Sequence, residues 1–482
     1  MKHTLIAALA GLALVGCTSL PASPADVRDP SPALVAEVAE AVRAGPDYAP
    51  VPYVQVAHPE WTRDAVIYQL NTRQFTAEGT FAAAETHLPR LAEMGVDVIW
   101  LMPIHPIGEV NRKGSLGSPY AVKDYAGVNP EFGTRADLKR FIDAAHDLEM
   151  KVILDWVANH TAWDNPLTET QPDWYQRDWK GDFHPPLWTD WDDVIELDFS
   201  QPALREYMTD VMVAWVRDVG VDGFRCDVAG FVPLDFWETL RAELDAVKPV
   251  FMLAEWQTRD MHQHAFDATY AWGWKEAMQP IARGEADVGA LRGYFYGEQN
   301  SWPGDAYRMV YTSNHDQNSW DGTAPEIYGD ALEAAIVMSF VSEGIPLIYN
   351  GQEAGLDHQL EFFEKDEIVW REHSHGALFT ALATFKADNK ALWNGAAGAR
   401  LEELATGDAE HVFAFIREGE ADAVAAVFNL SDQPRTIGFE TERHYGDYKV
   451  AFGDQAGTTL SFDAETTLDL PAWGYLVVRA DR

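Results

Sequence analysis

The segment that decides the fold is GVDGFRCDVAG, residues 220–230, in which a short apolar run ends with Arg225 and Asp227. Residues two apart in a β-strand point to the same face, so these two side chains are expected to lie side by side. A neighbouring cation favours an ionised carboxylate, which predicts a charged Asp227. Glu255 in FMLAEWQ and Asp316 in YTSNHDQN also follow strand-like runs. If these strands are parallel neighbours in a barrel, their three acids converge at its carboxyl-end rim.

Eight apolar runs alternate with longer segments of helical periodicity. The runs are AVIYQL (65–70), VDVIWLMPI (96–104), KVILDWV (151–157), GFRCDV (223–228), PVFMLAEW (249–256), FDATYAW (266–272), YRMVYTSNHD (307–316) and IPLIYNGQEAG (345–355). Such alternation predicts an α/β fold, a (β/α)8 TIM barrel. An open doubly wound sheet is the alternative, but no glycine-rich phosphate turn follows the first run.

Two segments interrupt this alternation and predict the domain organisation. Residues 161–202 are rich in Trp, Asp and Pro, which indicates a short inserted subdomain after strand 3. From residue 392 the pattern changes to short alternating runs separated by Gly, Asp and Asn, which is typical of antiparallel strands. We therefore expect a catalytic barrel over 61–391 and a C-terminal β-sandwich domain over 392–482.

The N-terminus resembles that of a bacterial lipoprotein. Residues 1–16 carry Lys2 and an apolar run that is too short to span a bilayer, as in a signal peptide. LVGC (14–17) is similar to the lipoprotein box, which implies acylation at Cys17, and Thr18 favours outer-membrane sorting. Residues 17–60 then form a tether with one amphipathic helix, LVAEVAEAVRAG (34–45). Plain secretion with cleavage near Ala22 is the alternative.

Composition excludes several classes of partner. The formal net charge of −40 disfavours nucleic acids and anionic membranes as partners bound through charge, so a lipid anchor is the expected membrane contact. A neutral glycan is unaffected by this charge. The 18 Trp residues, many in polar segments, suit stacking on sugar rings, although ordinary packing explains most of them individually.

Four segments in order resemble the signature regions of the α-amylase family of glycoside hydrolases, family 13. They are LDWVANH (154–160), GFRCDVA (223–229), AEW (254–256) and SNHD (313–316). The upstream segment LGSPYAVKDYAGVNPEFGT (116–134) resembles the family's region between its second and third strands. The resemblance covers nearly the whole mature chain, and four segments on the expected strand ends are a specific signal.

The resemblance implies a role for each matching residue. Asp227 matches the catalytic nucleophile, Glu255 the general acid/base, and Asp316 the third carboxylate, which binds hydroxyls of the distorted sugar. Arg225 would orient Asp227, His160 and His315 would hydrogen-bond the sugar, Tyr120 would form its stacking platform, and Asp155 matches a structural acid. Glu255 has no cationic neighbour in sequence, so partial desolvation is expected to raise its pKa.

No cofactor is implied for the chemistry, but the resemblance suggests a structural calcium ion. Asn159 matches a calcium ligand of many relatives, and Glu196 or Asp198 could add oxygen ligands. Phe231 stands where calcium-binding relatives often carry His. Asn159 is therefore expected to brace the site first and to bind calcium second.

These observations predict an enzyme of the bacterial cell envelope that is lipid-anchored in the outer membrane and acts on α-glucan substrates. Paired carboxylates at a barrel rim suit retaining glycoside hydrolysis. The resemblance implies that the bonds cleaved are α-glucosidic, mainly α-1,4, in starch-derived glucans or maltooligosaccharides. An α-glucan transglycosylase and a non-catalytic glycan-binding lipoprotein are the alternatives. Cys226 points away from its neighbours Arg225 and Asp227, so it is expected to be a packed strand residue.

Overall fold

The computed structural model describes residues 52–187, 189–442 and 445–481. From Tyr53 onward the chain forms one unit. Cys17, the signal segment and the helix expected at 34–45 lie outside the described residues. Within the described ranges, every helix is too short or too polar to traverse a lipid bilayer.

The larger part of the chain is a closed barrel of eight parallel strands. In chain order these are β1 (Ile67–Leu70), β2 (Val98–Leu101), β3 (Lys151–Trp156), β6 (Gly223–Cys226), β7 (Phe251–Ala254), β8 (Ala268–Tyr270), β9 (Tyr307–Tyr311) and β10 (Ile345–Tyr349). Strands β4 and β5 lie in an insert after β3. Their order around the barrel is β1-β10-β9-β8-β7-β6-β3-β2. Each strand falls within one of the eight apolar runs, so the predicted fold class is confirmed.

The strands read as continuous apolar runs because both of their faces are buried. In β2, Val98 and Trp100 belong to the cluster that fills the barrel interior. Ile99 and Leu101 instead belong to the larger cluster between the barrel and its helices. This alternation gives the barrel two apolar layers and leaves polar residues to the strand ends.

Helices connect the strands on the outside of the barrel. Helix Arg135–Asp147, for example, begins with a capping box between Thr134 and Asp137 and buries Leu138 and Phe141. The α-helices of the described residues are Thr72–Phe75, Phe81–Glu85, Leu88–Glu93, Arg135–Asp147, Leu167–Thr170, Pro202–Ala214, Leu234–Val247, Met261–His264, Trp272–Ala282, Gly289–Ser301, Ala324–Tyr328, Leu332–Val341 and Ser374–Asp388. Two π-helical turns, Trp215–Val219 and Gln317–Asp321, accompany them.

The segment after β3 forms a small insert at the carboxyl-end rim. Its strands β4 (His160–Ala162) and β5 (Val194–Glu196) pair antiparallel, with His160 opposite Glu196. Because β4 begins only four residues after β3 ends, the insert is anchored directly beside the barrel mouth.

The C-terminal part consists of two antiparallel sheets. The strands are β11 (Leu401–Glu403), β12 (Val412–Glu418), β13 (Asp422–Asn429), β14 (Arg435–Gly438), β15 (Gly446–Phe452), β16 (Thr459–Phe462), β17 (Thr467–Leu470) and β18 (Tyr475–Asp481). Six form one sheet, while β14 and β17 form a second. Ile437 and Leu468 of the smaller sheet pack with Ala414 and Val427 of the larger one. The antiparallel character predicted for this region is confirmed.

Residues before β1 contact the amino-terminal side of the barrel. The ring of His58 hydrogen-bonds the buried carboxylate of Asp267 at 2.7 Å, and Arg241 binds the other oxygen of that carboxylate at 2.8 Å. The backbone N–H of Gln55 donates to the carbonyl of Gln263 at 2.9 Å. The sequence assigns residues 55–58 to the predicted tether, 17–60. In the structure, Gln55 and His58 are hydrogen-bonded to the barrel.

Candidate active site

The carboxyl-end rim of the barrel surrounds a cavity of about 620 Å³. This volume lies in the range of small-molecule sites. Loops after five barrel strands and the insert contribute its walls. The lining residues are Lys113, Ser118, Tyr120, His160, Asp190, Trp191, Asp193, Val194, Asp227, Val228, Glu255, His315, Asp316, Trp320, Phe362 and Phe363.

Arg225 is the centre of the charged groups beneath this cavity. Its side chain is fully buried, and its Nη1 donates to Asp155 Oδ1 at 2.8 Å and to Asp227 Oδ1 at 2.9 Å. Nε donates to the hydroxyl of Tyr270 at 3.2 Å. Asp227 directly follows β6, so the side-by-side placement predicted for Arg225 and Asp227 is what the structure has.

Glu255 does have a cationic neighbour, contrary to the expectation from its sequence surroundings. Its Oε1 lies 3.0 Å from Nη2 of Arg225, and its Oε2 accepts from the backbone N–H of Val228 at 2.7 Å. The cation comes from the adjacent strand, since Arg225 in β6 pairs with Leu253 in β7. Nη2 is nevertheless not aligned for a hydrogen bond with any acceptor of the described residues. The hydrogen bond from Arg225 to Asp227 is therefore better aligned than the contact between Arg225 and Glu255.

The protonation of Asp227 departs from the simple expectation of a charged group. Burial and the neighbouring Glu255 raise the pKa of Asp227 well above its usual range, while Arg225 opposes both effects. One guanidinium is shared among three carboxylates, so it cannot fully compensate all of their charges. The pKa of Asp227 is therefore raised although its carboxylate is bonded to Arg225.

Tyr120 and His315 connect Asp155 to the cavity. The Tyr120 hydroxyl donates to Asp155 Oδ2 at 3.0 Å and lies 2.7 Å from Nε2 of His315, and the two rings stack with centroids 5.5 Å apart. Burial and, to a smaller extent, the charge of Arg225 lower the pKa of His315 to about 3. The imidazole is therefore neutral at neutral pH.

Asp316 directly precedes the π-helical turn Gln317–Asp321 and lines the same cavity. One of its oxygens lies 3.4 Å from Nε2 of His315. Its side chain is 44% exposed, against 10% for Asp227. Asp316 is thus the more accessible of the two carboxylates.

His160 and Asn159 lie on the insert side of the cavity. Burial lowers the pKa of His160 to about 4, and its ring is 5.5 Å from that of Trp191. The side-chain amide of Asn159 lies 3.3 Å from Nδ1 of His160.

The residues suggested for calcium do not form an acidic cage. Asp198 accepts hydrogen bonds from Gln176, Gln201 and Ser200. In the part of the chain that the structure describes, no group of three or more His, Cys, Asp or Glu side chains is placed to hold a metal ion. The described acidic side chains therefore form no carboxylate-rich calcium site.

Several cavity residues escaped sequence reasoning. Trp191, Trp320 and Phe362 line the cavity from separate loops, and Gln69 binds His315 from β1. A polar residue inside the apolar run AVIYQL was the available signal for Gln69. The loop aromatics carried no signal beyond their abundance, because nothing in the sequence states which loops meet.

A parallel barrel with paired carboxylates around one arginine at its carboxyl-end rim defines the glycosidase class of barrel enzymes. Residues 71–392 match the sequence model described as Alpha-amylase, "Alpha amylase, catalytic domain". The chain belongs to the α-amylase family.

Relatives within this family differ in the reactions that their names state. The chain is 32% identical over 432 residues to "Alpha-amylase MalA" of Haloarcula japonica, which covers 83% of this chain and 61% of the relative. It is 30% identical over 338 residues to "Alpha-1,4-glucan:maltose-1-phosphate maltosyltransferase" of Pseudomonas aeruginosa, which covers 63% of this chain and 48% of the relative. The chain thus spans between about half and three fifths of these two relatives.

Solved structures show the same architecture. A maltogenic α-amylase, AmyB, from Thermotoga neapolitana superimposes with a TM-score of 0.79 at 30% identity. The alignment covers 87% of this chain and 99% of that one. An α-amylase from Lactobacillus plantarum gives a TM-score of 0.77 at 31% identity with the same coverage.

Proposed function

We propose that the protein hydrolyses α-glucosidic bonds, mainly α-1,4, in starch-derived glucans or maltooligosaccharides with retention of configuration. The observation that carries this proposal is the sharing of Arg225 by Asp227 and Glu255 at the floor of a cavity lined by aromatic rings. Aromatic faces suit the apolar faces of sugar rings, and a retaining mechanism needs two closely spaced carboxyl groups.

In this mechanism Asp227 attacks the anomeric carbon while Glu255 protonates the glycosidic oxygen. The leaving sugar departs, and Glu255 then takes a proton from water, which attacks the covalent intermediate and restores the α configuration. This mechanism requires a protonated Glu255 and an ionised Asp227 at the start. The aligned hydrogen bond from Arg225 favours the charge on Asp227.

The remaining residues would position the sugar. Tyr120 stacks on its ring, while neutral His160 and His315 hydrogen-bond its hydroxyls. Asp316 would bind hydroxyls more strongly as the ring flattens toward the transition state. No cofactor enters these steps, and calcium at Asn159 remains a prediction about stability.

The stereochemistry of the first product tests this proposal. Maltoheptaose is incubated with the enzyme, and the anomeric proton of the new reducing end is followed by NMR before mutarotation. The α-anomer is expected first, and Asp227→Ala should lower turnover by several orders of magnitude without changing the circular dichroism spectrum. Release of the β-anomer would contradict the assigned roles.

Transglycosylation is the second candidate, and similarity to a maltosyltransferase favours it. It uses the same intermediate and differs only in whether water or a sugar hydroxyl resolves it. Products longer than the supplied maltooligosaccharide, rising with its concentration, would identify this reaction. Shorter products alone would identify hydrolysis.

The location that we propose is the bacterial cell envelope, where the enzyme is held by a lipid on Cys17. Support comes from the sequence LVGC at residues 14–17, which follows the apolar signal segment. Thr18 after the cysteine favours the outer membrane.

A further inference from the structure

The residue that follows Asp227 has a strained backbone. Val228 adopts φ 36° and ψ 48°, in the left-handed region. This conformation is unfavourable for a β-branched side chain, because its Cβ crowds the backbone. The described residues other than glycine with positive φ are Asn111, Glu149, Val228 and Trp473. Val228 is the one with a β-branched side chain, and such strain persists only where the surrounding structure enforces it.

The turn 228–231 is held in place by two tryptophans. The indole N–H of Trp237 donates to the carbonyl of Ala229 at 3.0 Å. On the other side, a Cβ added at Gly230 would lie 2.0 Å from the ring of Trp256, so the turn packs directly on that indole. The path of the chain after Val228 is therefore fixed by packing rather than by the conformation that Val228 itself prefers.

The strained residue directs one N–H at Glu255. The backbone N–H of Val228 donates to Oε2 of Glu255 at 2.7 Å. A half-turn of the peptide between Asp227 and Val228 would bring φ of Val228 back to the extended region. The same half-turn would point the N–H away from Glu255. The left-handed conformation is thus tied to this hydrogen bond.

This hydrogen bond fixes the carboxyl group of Glu255 relative to Asp227. The main chain of Glu255 is already bonded beside Asp227, since its N–H donates to the carbonyl of Cys226 at 3.0 Å. Arg225 approaches Oε1 of Glu255 at 3.0 Å, but that contact is not aligned as a hydrogen bond. The N–H of Val228 therefore supplies the aligned hydrogen bond to this carboxyl group within the described part of the chain.

We propose that Val228 is a positioning residue, whose left-handed backbone holds the side chain of Glu255 at the glycosidic bond. This inference rests on the proposed function. Glu255 passes its proton to the glycosidic oxygen as Asp227 attacks, and it later takes a proton from the attacking water. Both transfers need the same placement of one carboxyl group, and a misplacement of about 1 Å can lower a rate about a hundredfold.

Removal of a single backbone N–H tests this inference. Cell-free translation replaces Val228 by α-hydroxyisovaleric acid, which keeps the side chain and puts an ester oxygen in place of the N–H. With maltoheptaose, kcat/KM should fall about ten- to a hundredfold. With an aryl α-glucoside of low leaving-group pKa, which needs no protonation, kcat/KM should fall less than about twofold. Damage to the structure alone would lower both values alike.

The matched control carries lactic acid in place of Ala229. It moves the ester one residue along the chain and keeps the N–H of Val228. Its kcat/KM should stay within about twofold of the wild type with both substrates, and its circular dichroism spectrum should be unchanged. Equal losses on the two substrates in the ester variant at Val228, or no loss on either, would overturn the inference.

Two measurements without substrate separate this inference from the proposed function. The carboxyl carbon-13 NMR signal of Glu255, identified by its absence in Glu255→Gln, should move in the ester variant at Val228 and stay in the control. Val228→Gly should have a higher Tm than Val228→Ala, the reverse of the usual order, because glycine adopts positive φ without strain. An unmoved signal or the usual Tm order would overturn the inference. Both results without any turnover by the wild type would overturn only the proposed hydrolysis.

Discussion

Gln69 binds His315 through both ends of its side-chain amide. Its Oε1 accepts from the backbone N–H of His315 at 3.2 Å, and its Nε2 lies 2.7 Å from Nδ1 of the same residue. Because the backbone can only donate, the amide orientation is fixed, and Nε2 must donate to an unprotonated Nδ1. The imidazole then carries its proton on Nε2, directed at Tyr120, whose hydroxyl donates to Asp155.

Gln69→Glu should reverse the direction of the hydrogen bond between the side chain of residue 69 and Nδ1 of His315. A carboxylate has no proton for Nδ1, so Nδ1 of His315 must become the donor, and the added negative charge should raise the pKa of His315 from about 3. Misplacement of Tyr120 and His315 is expected to lower kcat by up to about a hundredfold. The pH dependence of kcat should show a new acid inflection, and nitrogen-15 NMR should show the changed tautomer.

Gln69→Met is the control for this substitution, because it removes both hydrogen bonds without adding charge. It should lower kcat without a new inflection. Superimposable pH profiles for the wild type and Gln69→Glu would refute the hydrogen-bond order.

The barrel was predictable because each strand is buried on both faces, which makes runs such as IPLIY (345–349) apolar throughout. Asp227, Glu255 and Asp316 were predictable as neighbours because each follows such a run. The Arg225 contact with Glu255 was missed, since it depends on the register between β6 and β7. The contacts among the loops after β2, β9 and β10 were missed for a related reason, because these loops meet only once the barrel closes.

Asp267→Asn should destabilise the fold. Asp267 is buried and accepts from His58, Arg241 and the backbone N–H of Met252. Its removal leaves Arg241 buried without full compensation, which typically costs about 3–5 kcal/mol. Denaturant unfolding measures the loss. Asp245→Asn is the control, since Asp245 also binds Arg241 but is 39% exposed, and it should cost under about 1 kcal/mol.

The same carboxylate gives this stability a defined pH dependence. Burial alone would raise the pKa of Asp267, but Arg241 and His58 outweigh it and lower that pKa. Its contribution is present above the unfolded pKa of about 4 and is lost as pH falls through the lower folded value. The difference in unfolding free energy between the wild type and Asp267→Asn should therefore shrink on acidification. A difference that grows toward low pH would contradict the assignment.

Added salt should stabilise the protein. The chain has 76 acidic against 36 basic residues, and the excess charge is spread along the sequence, so its folded surface repels itself. Raising NaCl from about 0.05 M to about 1 M shortens the screening length from above 10 Å to about 3 Å. Calorimetry should show a higher Tm, while KM for a neutral maltooligosaccharide stays unchanged. A Tm that falls steadily with NaCl would refute this expectation.

Membrane attachment should depend on Cys17. Full-length protein expressed in a bacterium with lipoprotein processing should partition with membranes, and Cys17→Ala should be released or remain unprocessed. Cys226→Ala is the matched control, since Cys226 is buried in β6 and should leave the partition unchanged. Wild-type protein that is fully soluble, with an N-terminus other than Cys17, would contradict lipid anchoring.

Azide should distinguish the roles of Glu255 and Asp227 by the configuration of its product. Substrates with activated leaving groups need no protonation, so Glu255→Ala should be impaired less on an aryl α-glucoside of low leaving-group pKa than on maltoheptaose. The intermediate on Asp227 then accumulates, because no base activates water. Azide needs no base, so it should attack this intermediate, restore part of the turnover and give the α-glycosyl azide.

Asp227→Ala is the matched control, since it lacks the nucleophile but retains Glu255. Azide would there occupy the place of the missing carboxylate and attack the substrate itself from the β face. With an α-glycosyl fluoride as substrate, the product should be the β-glycosyl azide. Because one variant retains configuration and the other inverts it, the two azides assign the residues independently of the size of either loss. Exchange of the two products between the variants would reverse the assignment, with Glu255 as the nucleophile and Asp227 as the acid/base.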